Sequence, residues 1–470
     1  MLFHYNGGSF APAGFGLGSG DKDALIKALN VGYPTPGAAP GTFAPATIES
    51  LDSQITSVAE SLPNIKFVNR LAAAQAINTV HQYVKQTSVG SRLPGWQLET
   101  SDPSRQSTPE IERVIASLML MVDYFRVGDV ANMVSIISGA GENADAFQQR
   151  NALINHLSHL EDALFNGDQS MCSLEIDGLR TLMLSGAPST NIVDLRGQAI
   201  TGANVNAAQR IVTDKFGRIE EVWMSGSSQE SLGNLAESNL IYNRPSAKMG
   251  GEGTTINVMP TGANTTNGFV KFESSAFLQA GGVHGNEPLA AGEGDSKPTL
   301  PVIGVAPAAG AHASSQVVAA DAGDYYYKVV AYGPGGISVP VSSAVVSVAA
   351  GDRVTMTMTD NAITNVYYYK VYRSDKNGLV GTCKFAFNFA KAAVGNTTII
   401  DYNDDIPGTT TAYGLAFDPS VLQYVHLGQR AWRKQLAEIS LYKHFAIISL
   451  SVLLAKAPSK LFMWRNCGAA

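Results

Sequence analysis

The sequence predicts an α+β protein, on three observations taken in chain order. A long amphipathic helix is predicted from about Asn143 to Phe165. A compact unit of shorter helices and strands follows it as far as Ser225, and a β-rich region runs from Val302 to Asp401. Helices and strands that are mixed in one region and segregated in another are typical of α+β proteins.

The long helix is predicted from apolar residues that recur mainly three or four positions apart and so share one helical face. Asn143 is placed to cap its start, and Asn166-Gly167 to end it in a left-handed turn. At ~1.5 Å per residue it would be roughly 35 Å long, which exceeds the usual helix of a globular domain. The apolar positions are Phe147, Leu153, Ile154, Leu157, Leu160 and Leu164.

The unit after this helix contains a second helix, which Thr201 can cap and Phe216-Gly217 can end. A short strand is predicted from Ile219 to Met224, and a further helix from Ser228 to about Leu240. Two short apolar segments follow, Ile256 to Met259 and Gly268 to Leu278, and the second has the pattern of one or two strands.

The order of these pieces resembles the major capsid proteins of tailed bacteriophages, which have the Hong Kong-type capsid fold. The resemblance rests on the long helix, its closing phrase Glu161 to Asp168, then Gly178-Leu179, the capped helix and the run Val222 to Ser225. It covers about residues 1–297 and 413–470. In that family the long helix is the spine of the peripheral domain, and the next unit begins the axial domain.

The resemblance implies six successive parts of the chain. They are an N-terminal arm (1–62), an extended loop with the start of the peripheral domain (63–141), the spine helix and peripheral domain (142–184), the axial domain (185–297), an inserted immunoglobulin-like β-sandwich (298–408), and a return through the axial domain to the peripheral domain (409–470).

The first two parts are segments that cannot bury enough apolar surface to fold alone. Residues 1 to about 60 are rich in Gly, Ala, Pro and Ser, which fits a flexible tail or an arm lying along neighbouring subunits. Leu71 to Val89 and Ile111 to Val134 flank a Pro-rich tip and predict a long two-stranded excursion. An isolated hairpin is only marginally stable in water. The alternative, a helix over Ala72 to Val84, stays open because that stretch is rich in Ala.

The β-rich region begins where the composition changes, at Lys297-Pro298. Short runs with turns between them predict an antiparallel β-sandwich. Tyr327 to Ser338, together with Tyr369 to Ser374, resembles fibronectin type III and related immunoglobulin-like modules, without the paired cysteines of antibody domains. The predicted strands lie at 324–332, 337–343, 345–348, 353–359, 365–373 and 397–402.

The C-terminal part predicts an exit linker at 408–415 and an amphipathic helix within Ala431 to Phe445, with Trp432, Leu436 and Ile439 on one face. Phe445 to Asn466 is predicted as strands with a turn at Pro458. Because 457–466 resembles the closing segment of the capsid family, the resemblance implies that the sandwich is inserted and displayed on the outer surface.

Composition limits the function classes. Charged residues are 15% and hydrophobic residues 45%, which suits a subunit that buries much of its surface against copies of itself. A secreted β-rich protein fits this composition as well. The net charge of −6 and the lack of Lys/Arg runs argue against a dedicated nucleic-acid binder.

Cysteine usage and the terminal sequence indicate a reducing compartment. Cys172, Cys383 and Cys467 have no disulfide-like spacing. The N-terminus lacks the pattern of a signal peptide. The most apolar late run, Phe445 to Ala455, is too short to span a bilayer and is interpreted as a buried strand or a strand with a turn.

Two groups of side chains are candidate metal sites. His156 and His159 lie three apart beside Glu161, but no further ligands follow at a recognisable spacing, so a solvated or interface face is favoured. Asp401 to Asp405 begins like a calcium loop, yet Ile406 and Ala412 occupy the positions of its glycine and its bidentate glutamate, and a β-turn is favoured.

No catalytic, cofactor-binding or metal-binding residue is predicted, and the expectation is a protein that is not an enzyme. The glycine-rich stretch Gly14 to Gly20 lacks dinucleotide-binding spacing. Lys85 could take part in the covalent links between subunits that some members of the resembled family form, although nothing in the sequence demands it.

The sequence therefore predicts a structural protein, the major capsid subunit of a tailed phage, located in the virion and made in the host cytoplasm. The implied partners are copies of itself in pentamers and hexamers, with scaffolding, portal and decoration proteins as further partners. The shell would enclose double-stranded DNA without sequence-specific binding, and no membrane is involved. The alternative is a secreted or surface adhesin whose sandwich binds a carbohydrate or protein.

Overall fold

The chain is described by a computed structural model over residues 65–88, 109–129, 144–243, 260–281, 285–294, 296–359, 365–437 and 442–468. These residues all belong to one compact unit, which spans Ala59–Val134 and Ala144–Ala470. The predicted arm (1–62), the stretch Gly14 to Gly20 and the segment Ile256 to Met259 lie outside the described residues. Within them the predicted α+β class is confirmed.

The elements are numbered here in chain order. The helices are α1 (Phe67–Arg70), α2 (Ala144–Asn166), α3 (Leu179–Gly186), α4 (Gly202–Thr213) and α5 (Gly226–Asn243). The first strands are β1 (Ala73–Ala76), β2 (Val80–Ser88), β3 (Glu110–Ser117), β4 (Met119–Gly128), β5 (Ile192–Asp194), β6 (Glu221–Met224), β7 (Gly262–Thr265) and β8 (Gly268–Ser274).

The later strands are β9 (Val302–Ala311), β10 (Gly323–Tyr325), β11 (Tyr327–Gly333), β12 (Gly336–Ile337), β13 (Val341–Ser342), β14 (Val346–Val348), β15 (Asp352–Thr359), β16 (Tyr368–Arg373), β17 (Lys384–Ala390), β18 (Thr397–Asp401), β19 (Thr410–Leu415), β20 (Leu422–Leu427), β21 (Trp432–Gln435), β22 (Tyr442–Ala455) and β23 (Phe462–Cys467). Short 3-10 turns lie at Ser189–Asn191, Ala276–Leu278, Val380–Thr382 and Pro458–Lys460.

Helix α2 confirms the predicted long helix to within one residue at each end. Its second half is the better buried, with Leu160, Leu164 and Phe165 in the core, whereas Leu153 is exposed. These side chains pack with aromatic residues of α1 and of β6, β19 and β20, so the helix joins the elements around it. The predicted cap, Asn143, lies outside the described residues.

The end of α2 differs from the prediction. Neither Asn166 nor Gly167 has a positive φ, so the predicted left-handed turn is wrong. Glycine is needed at 167 for a different reason: a Cβ there would lie 2.3 Å from the carbonyl oxygen of Ile176 and 2.5 Å from that of Ala163. Two backbone segments cross at this point, and only glycine allows so close an approach.

Strand β22 is the centre of a five-stranded sheet that packs against α2. Strand β4 runs along one edge of β22, and β20 and β21 share the other. Strand β1 joins β20 in parallel. The prediction that Phe445 to Ala455 is a buried strand is confirmed, because most of β22 is buried between its neighbours.

The helix predicted within Ala431 to Phe445 is wrong. Trp432–Gln435 is strand β21, which pairs antiparallel with β22. Leu436 follows the strand, and Ile439 lies outside the described residues. Trp432 and Leu436 are four positions apart, a spacing that fits a strand period of two as well as a helical period.

Tertiary contacts explain why this segment is extended. The guanidinium of Arg433 forms an ion pair with Asp145 of α2 at 2.8 Å. The same guanidinium lies over the ring of Phe445, 4.5 Å from its centroid. Both contacts require Arg433 to stand beside β22, and a free helix would not satisfy them.

A second sheet has six strands in the order β5-β23-β19-β6-β8-β7. Helix α4 covers it through an apolar core. As predicted, the Thr201 hydroxyl caps α4 by accepting the backbone N–H of Asn204 at 3.2 Å, and Phe216, with a φ of 59°, lies just after the end of the helix. The predicted helix after β6 is also confirmed as α5.

The chain leaves this sheet and returns to it at nearby points. Strands β8 and β19 both pair with β6, one on each side. Because neighbouring strands lie ~4.8 Å apart, β8 and β19 are separated by roughly 10 Å. We call the residues Val302–Asp401 between them the insert, and the five-stranded and six-stranded sheets with their helices the body.

The insert consists mainly of two antiparallel sheets that face one core. One sheet has the order β12-β11-β16-β17, with β13 also on β11, and the other has the order β18-β15-β9. The main predicted strands are present, whereas β9 and β17 were not predicted as strands. The fully buried core side chains include Val329, Tyr369, Val371, Met358 and Ile399.

Candidate assembly interface

Strands β2 and β3 form a separate two-stranded hairpin. Most of Ala72 to Val84 therefore lies in the strands β1 and β2, and the alternative of a helix there is wrong. In its register Gln82 lies opposite Ile115 and Val84 opposite Arg113. Residues directly opposite each other share a face, and alternate residues of one strand do so too.

One side of this hairpin exposes four aliphatic side chains to solvent, with Gln82 and Arg113 between them. We call these four side chains, Val80, Val84, Ile111 and Ile115, the hairpin face. Val84 is 69% exposed, Ile111 66% and Ile115 61%. Single exposed aliphatic residues are ordinary, but several on one face form a patch of the kind that marks a contact surface.

The opposite side of the hairpin is partly covered. Tyr83 and Ala116 pack against a small core cluster of the five-stranded sheet. The ammonium of Lys456 lies 5.8 Å from the ring centroid of Tyr83, and burial raises the pKa of the Tyr83 phenol. Lys85 lies on this side, opposite Glu112. The hairpin is therefore anchored on one side and open on the other.

Glu161 of α2 holds the chain just before it enters the hairpin. Its fully buried carboxylate accepts the backbone N–H groups of Lys66 and Phe67 at 3.1 Å and that of Val68 at 3.4 Å. A helix start leaves such N–H groups without partners, and a negative charge there is favourable. Burial raises the pKa of Glu161, and the three N–H donors oppose that rise.

The two histidines of α2 have different surroundings. His159 is exposed, but His156 is fully buried, so the expected solvated or interface face is wrong for His156. Its Nδ1 lies 2.6 Å from a carboxylate oxygen of Asp123, and its Nε2 lies 3.0 Å from the hydroxyl of Ser449. Among the described residues, no three His, Cys, Asp or Glu side chains cluster as a metal site.

Asp123, His156 and Ser449 have the connectivity of a serine-hydrolase triad. Sequence reasoning missed this group because its members lie on β4, α2 and β22. Ser449 is fully buried within a paired strand, so no acyl substrate reaches its hydroxyl in this structure. What the arrangement does here is to tie α2 to two strands of the sheet beneath it.

The acidic stretch weighed as a calcium loop is matched by arginines. Asp401 forms a buried ion pair with Arg373 at 2.7 Å. Asp405 pairs with Arg180 at 2.6 Å and with Arg465 at 3.0 Å. Burial alone would raise the pKa of Asp405, but the two arginines hold it below its usual value. The first ion pair lies inside the insert, and the other two hold the chain that follows the insert against α3 and β23.

The three cysteines are free and buried. Burial raises the pKa of the Cys383 thiol to about 11 and that of Cys467 to about 12. Because the thiolate is the reactive form, these thiols are poor nucleophiles at neutral pH. In the ranges that the structure covers, no helix is both long and apolar enough to cross a membrane.

Comparison with known proteins gives one relative that matches along almost the whole chain. It is the "Putative major capsid protein" of Enterococcus phage phiEF24C, 24% identical over 453 residues, with 93% of each chain covered. No family model matches the chain.

Solved capsid structures are more distant. The capsid of Myoviridae phage XM1 has a TM-score of 0.40 at 8% identity, with 89% of this chain and 96% of that chain covered. The capsid of Cyanophage P-SCSP1u has a TM-score of 0.40 at 8% identity, covering 92% and 96%. The SrpI encapsulin of Synechococcus elongatus PCC 7942 has a TM-score of 0.41 at 7% identity, covering 89% and 93%.

At such TM-scores these likenesses support no argument by themselves. The relationship therefore rests on the match to the phage relative, which covers 93% of each chain. The predicted resemblance of this chain to the major capsid proteins of phages is confirmed by that full-length match.

Proposed function

We propose that this chain is a capsid subunit, and that copies of it assemble into the shell of a phage head. The observation that carries this proposal is the match to a phage major capsid protein over 93% of both chains. The role is structural, and the proposed location is the virion.

The hairpin face supports assembly as the physical mechanism. Apolar surface removed from water contributes about 25 cal/mol per Å² before the costs of association are subtracted. A patch that stays exposed on the single chain gains this term only when a second chain covers it. In a closed shell the same contact repeats at every subunit, so weak individual contacts suffice.

Finer features belong to the same proposal. Subunits would group as pentamers and hexamers, with scaffolding, portal and decoration proteins as further partners and synthesis in the host cytoplasm. The shell would enclose double-stranded DNA without reading its sequence, which the net charge of −6 supports. The insert would be an immunoglobulin-like sandwich on the outer surface.

Electron microscopy and sedimentation of the full chain test the proposal, with a scaffolding protein co-expressed where one is needed. We expect shells or capsomers. A monodisperse single molecule at high protein concentration would contradict it.

A second variant tests the place of the insert. Residues 298–408 are replaced by a short glycine linker, which the roughly 10 Å gap between β8 and β19 permits. Shells should still form if the insert is only displayed, and their loss in a folded variant would refute that placement.

A further inference from the structure

Three titratable side chains meet where the insert contacts α2. They are Lys370 of β16, Asp162 of α2 and Glu175 in the loop before α3. Two cavities of about 250 and 240 Å³ open at this junction, and all three residues line both of them. The junction is therefore polar and incompletely filled, unlike the cores on either side of it.

Lys370 is a buried cation without a direct partner. It is 6% exposed, and its ammonium makes neither a hydrogen bond nor an ion pair with any described residue. The rings of Tyr332 and Phe385 lie near the ammonium, with centroids at 5.4 and 5.9 Å. Fully buried lysines are normally paired, because burying a charge without a partner is costly.

Glu175 lies on the body side of the junction and is half-buried. Within the described residues its carboxyl has no hydrogen bond and no ion pair. Burial, with the charge of Asp162 adding to it, raises the pKa of Glu175 to about 7, while Lys370 opposes the rise. Burial lowers the pKa of Lys370 to about 8, and Asp162 and Glu175 oppose that change.

Other charged groups around the cluster do not neutralise it. Asp168 and Asp177 act on Glu175 from its own loop, and Glu293, nine residues before the insert, acts on Lys370. The further titratable residues that face this cluster or line its cavities are His159, Cys172, Tyr332, Tyr367 and Tyr368, together with the Arg180–Asp405 pair. The only cations in this set that are charged at every relevant pH belong to that ion pair.

Arginines make other contacts that hold the insert in place. Arg196 donates to Asp321 at 2.7 Å and to the carbonyl oxygen of Gln316 at 2.9 Å. Arg180 pairs at 2.6 Å with Asp405, just after the insert. Opening at the Lys370 cluster is therefore local, because these arginines keep the insert attached elsewhere.

We propose that the contact between insert and α2 is a proton-operated latch, in which Glu175 and Lys370 decide how readily the junction opens. The latch is tightest when Glu175 carries a proton or when Lys370 has lost one. It is weakest when both groups are charged, because each charge must then be buried without a direct partner.

The direction of each pH effect follows from linkage. The closed junction holds the Glu175 proton more strongly than solvent does, so closure is favoured in acid and weakens as pH rises from 4.5 to about 7. It holds the Lys370 proton less strongly, so closure is weakest below about 8 and strengthens as pH rises toward 10.5. The latch is least stable between these two ranges.

Hydrogen exchange of the full-length protein tests the proposal, after correction for the pH dependence of intrinsic exchange. Amides of α3 and β16 should exchange ~10-fold more slowly at about pH 5.5 than at about pH 7.5, and more slowly again at about pH 9.5. Glu175→Gln should exchange slowly at neutral pH and lose the acid dependence. Lys370→Met should lose the alkaline dependence.

Two matched variants are the controls. Glu287→Gln removes an exposed carboxylate before the insert, and Lys384→Met removes a half-exposed lysine of β17, in the same sheet as Lys370. Both should keep the wild-type pH profile. A flat wild-type profile, or an acid dependence that persists in Glu175→Gln, would overturn the proposal.

Discussion

The β2–β3 hairpin and the insert are both antiparallel β structure, but they bury their apolar residues differently. The insert closes two sheets over its own core, where Val329, Tyr369 and Val371 are fully buried. Among the described residues no second sheet pairs with or covers the hairpin face, and Val84 and Ile115 are exposed to solvent. The insert is complete within one chain, whereas the hairpin has one face that only another surface can cover.

The buried charges of the insert show the same contrast on a smaller scale. Arg373 and Lys370 lie on one strand and point to opposite sides of their sheet. Arg373 faces the inner core and is bound by Asp401 and Asn403 at 2.7 and 2.6 Å. Lys370 faces the junction with the body and has no such partner. The buried charge inside the insert therefore has an ion-pair partner, whereas the one at its boundary does not.

Ile115→Asp tests most directly whether the hairpin face is covered by another chain, and it should have the largest effect. We expect loss of shells with little change in the stability of the subunit, because a charge on the hairpin face opposes burial between chains but costs little in solvent. Electron microscopy and thermal unfolding measure the two effects. Val394→Asp is the control, since Val394 is 91% exposed in the insert and should tolerate the charge. Normal shells from Ile115→Asp would mean that the hairpin face is not an interface.

Arg373→Met tests whether the insert is self-contained. It leaves Asp401 buried without its cation, and breaking such a pair typically costs about 3–5 kcal/mol. Urea unfolding should show this loss in the free subunit, before any assembly. The double variant Arg373→Met with Asp401→Leu should recover much of the lost stability. A change below ~1 kcal/mol for the single variant would contradict the role given to this pair.

Glu161→Gln tests the contact that holds residues 66–68, just before the hairpin, to α2. The amide keeps one acceptor oxygen but loses the charge that strengthens three hydrogen bonds, so we expect a loss of about 1.5–3 kcal/mol. Hydrogen exchange at 66–70 should rise, while that of the insert stays unchanged. Glu112→Gln, an exposed change on the hairpin itself, is the control. Equal exchange in both variants would show that α2 does not hold this segment.

Thr201→Ala should have the smallest effect. It removes the hydroxyl that caps α4, and such a loss costs about 1 kcal/mol. Helix α4 belongs to the body, so this variant should change neither the hairpin nor the insert. Thr201→Ser keeps the cap and should unfold like the wild type; thermal unfolding distinguishes the two.

Elements whose pattern is local could be predicted from the sequence. The apolar spacing along α2 and the cap at Thr201 act within one or two turns of helix, so neighbouring residues are enough to predict them. The alternating runs of the insert are of the same kind. Where two periods fit one segment, as at Trp432 and Leu436, the pattern did not decide, and pairing with β22 made the segment a strand.

By itself, the sequence determined the α+β class, the long helix and the β-rich insert, because local periodicity and capping are properties of adjacent residues. Only the tertiary structure decided what the polar side chains of α2 do. His156 meets Ser449 across 293 positions, and Glu161 meets Phe67 across 94. Such contacts depend on how whole elements pack, since no spacing along the chain encodes which distant group will satisfy a buried charge.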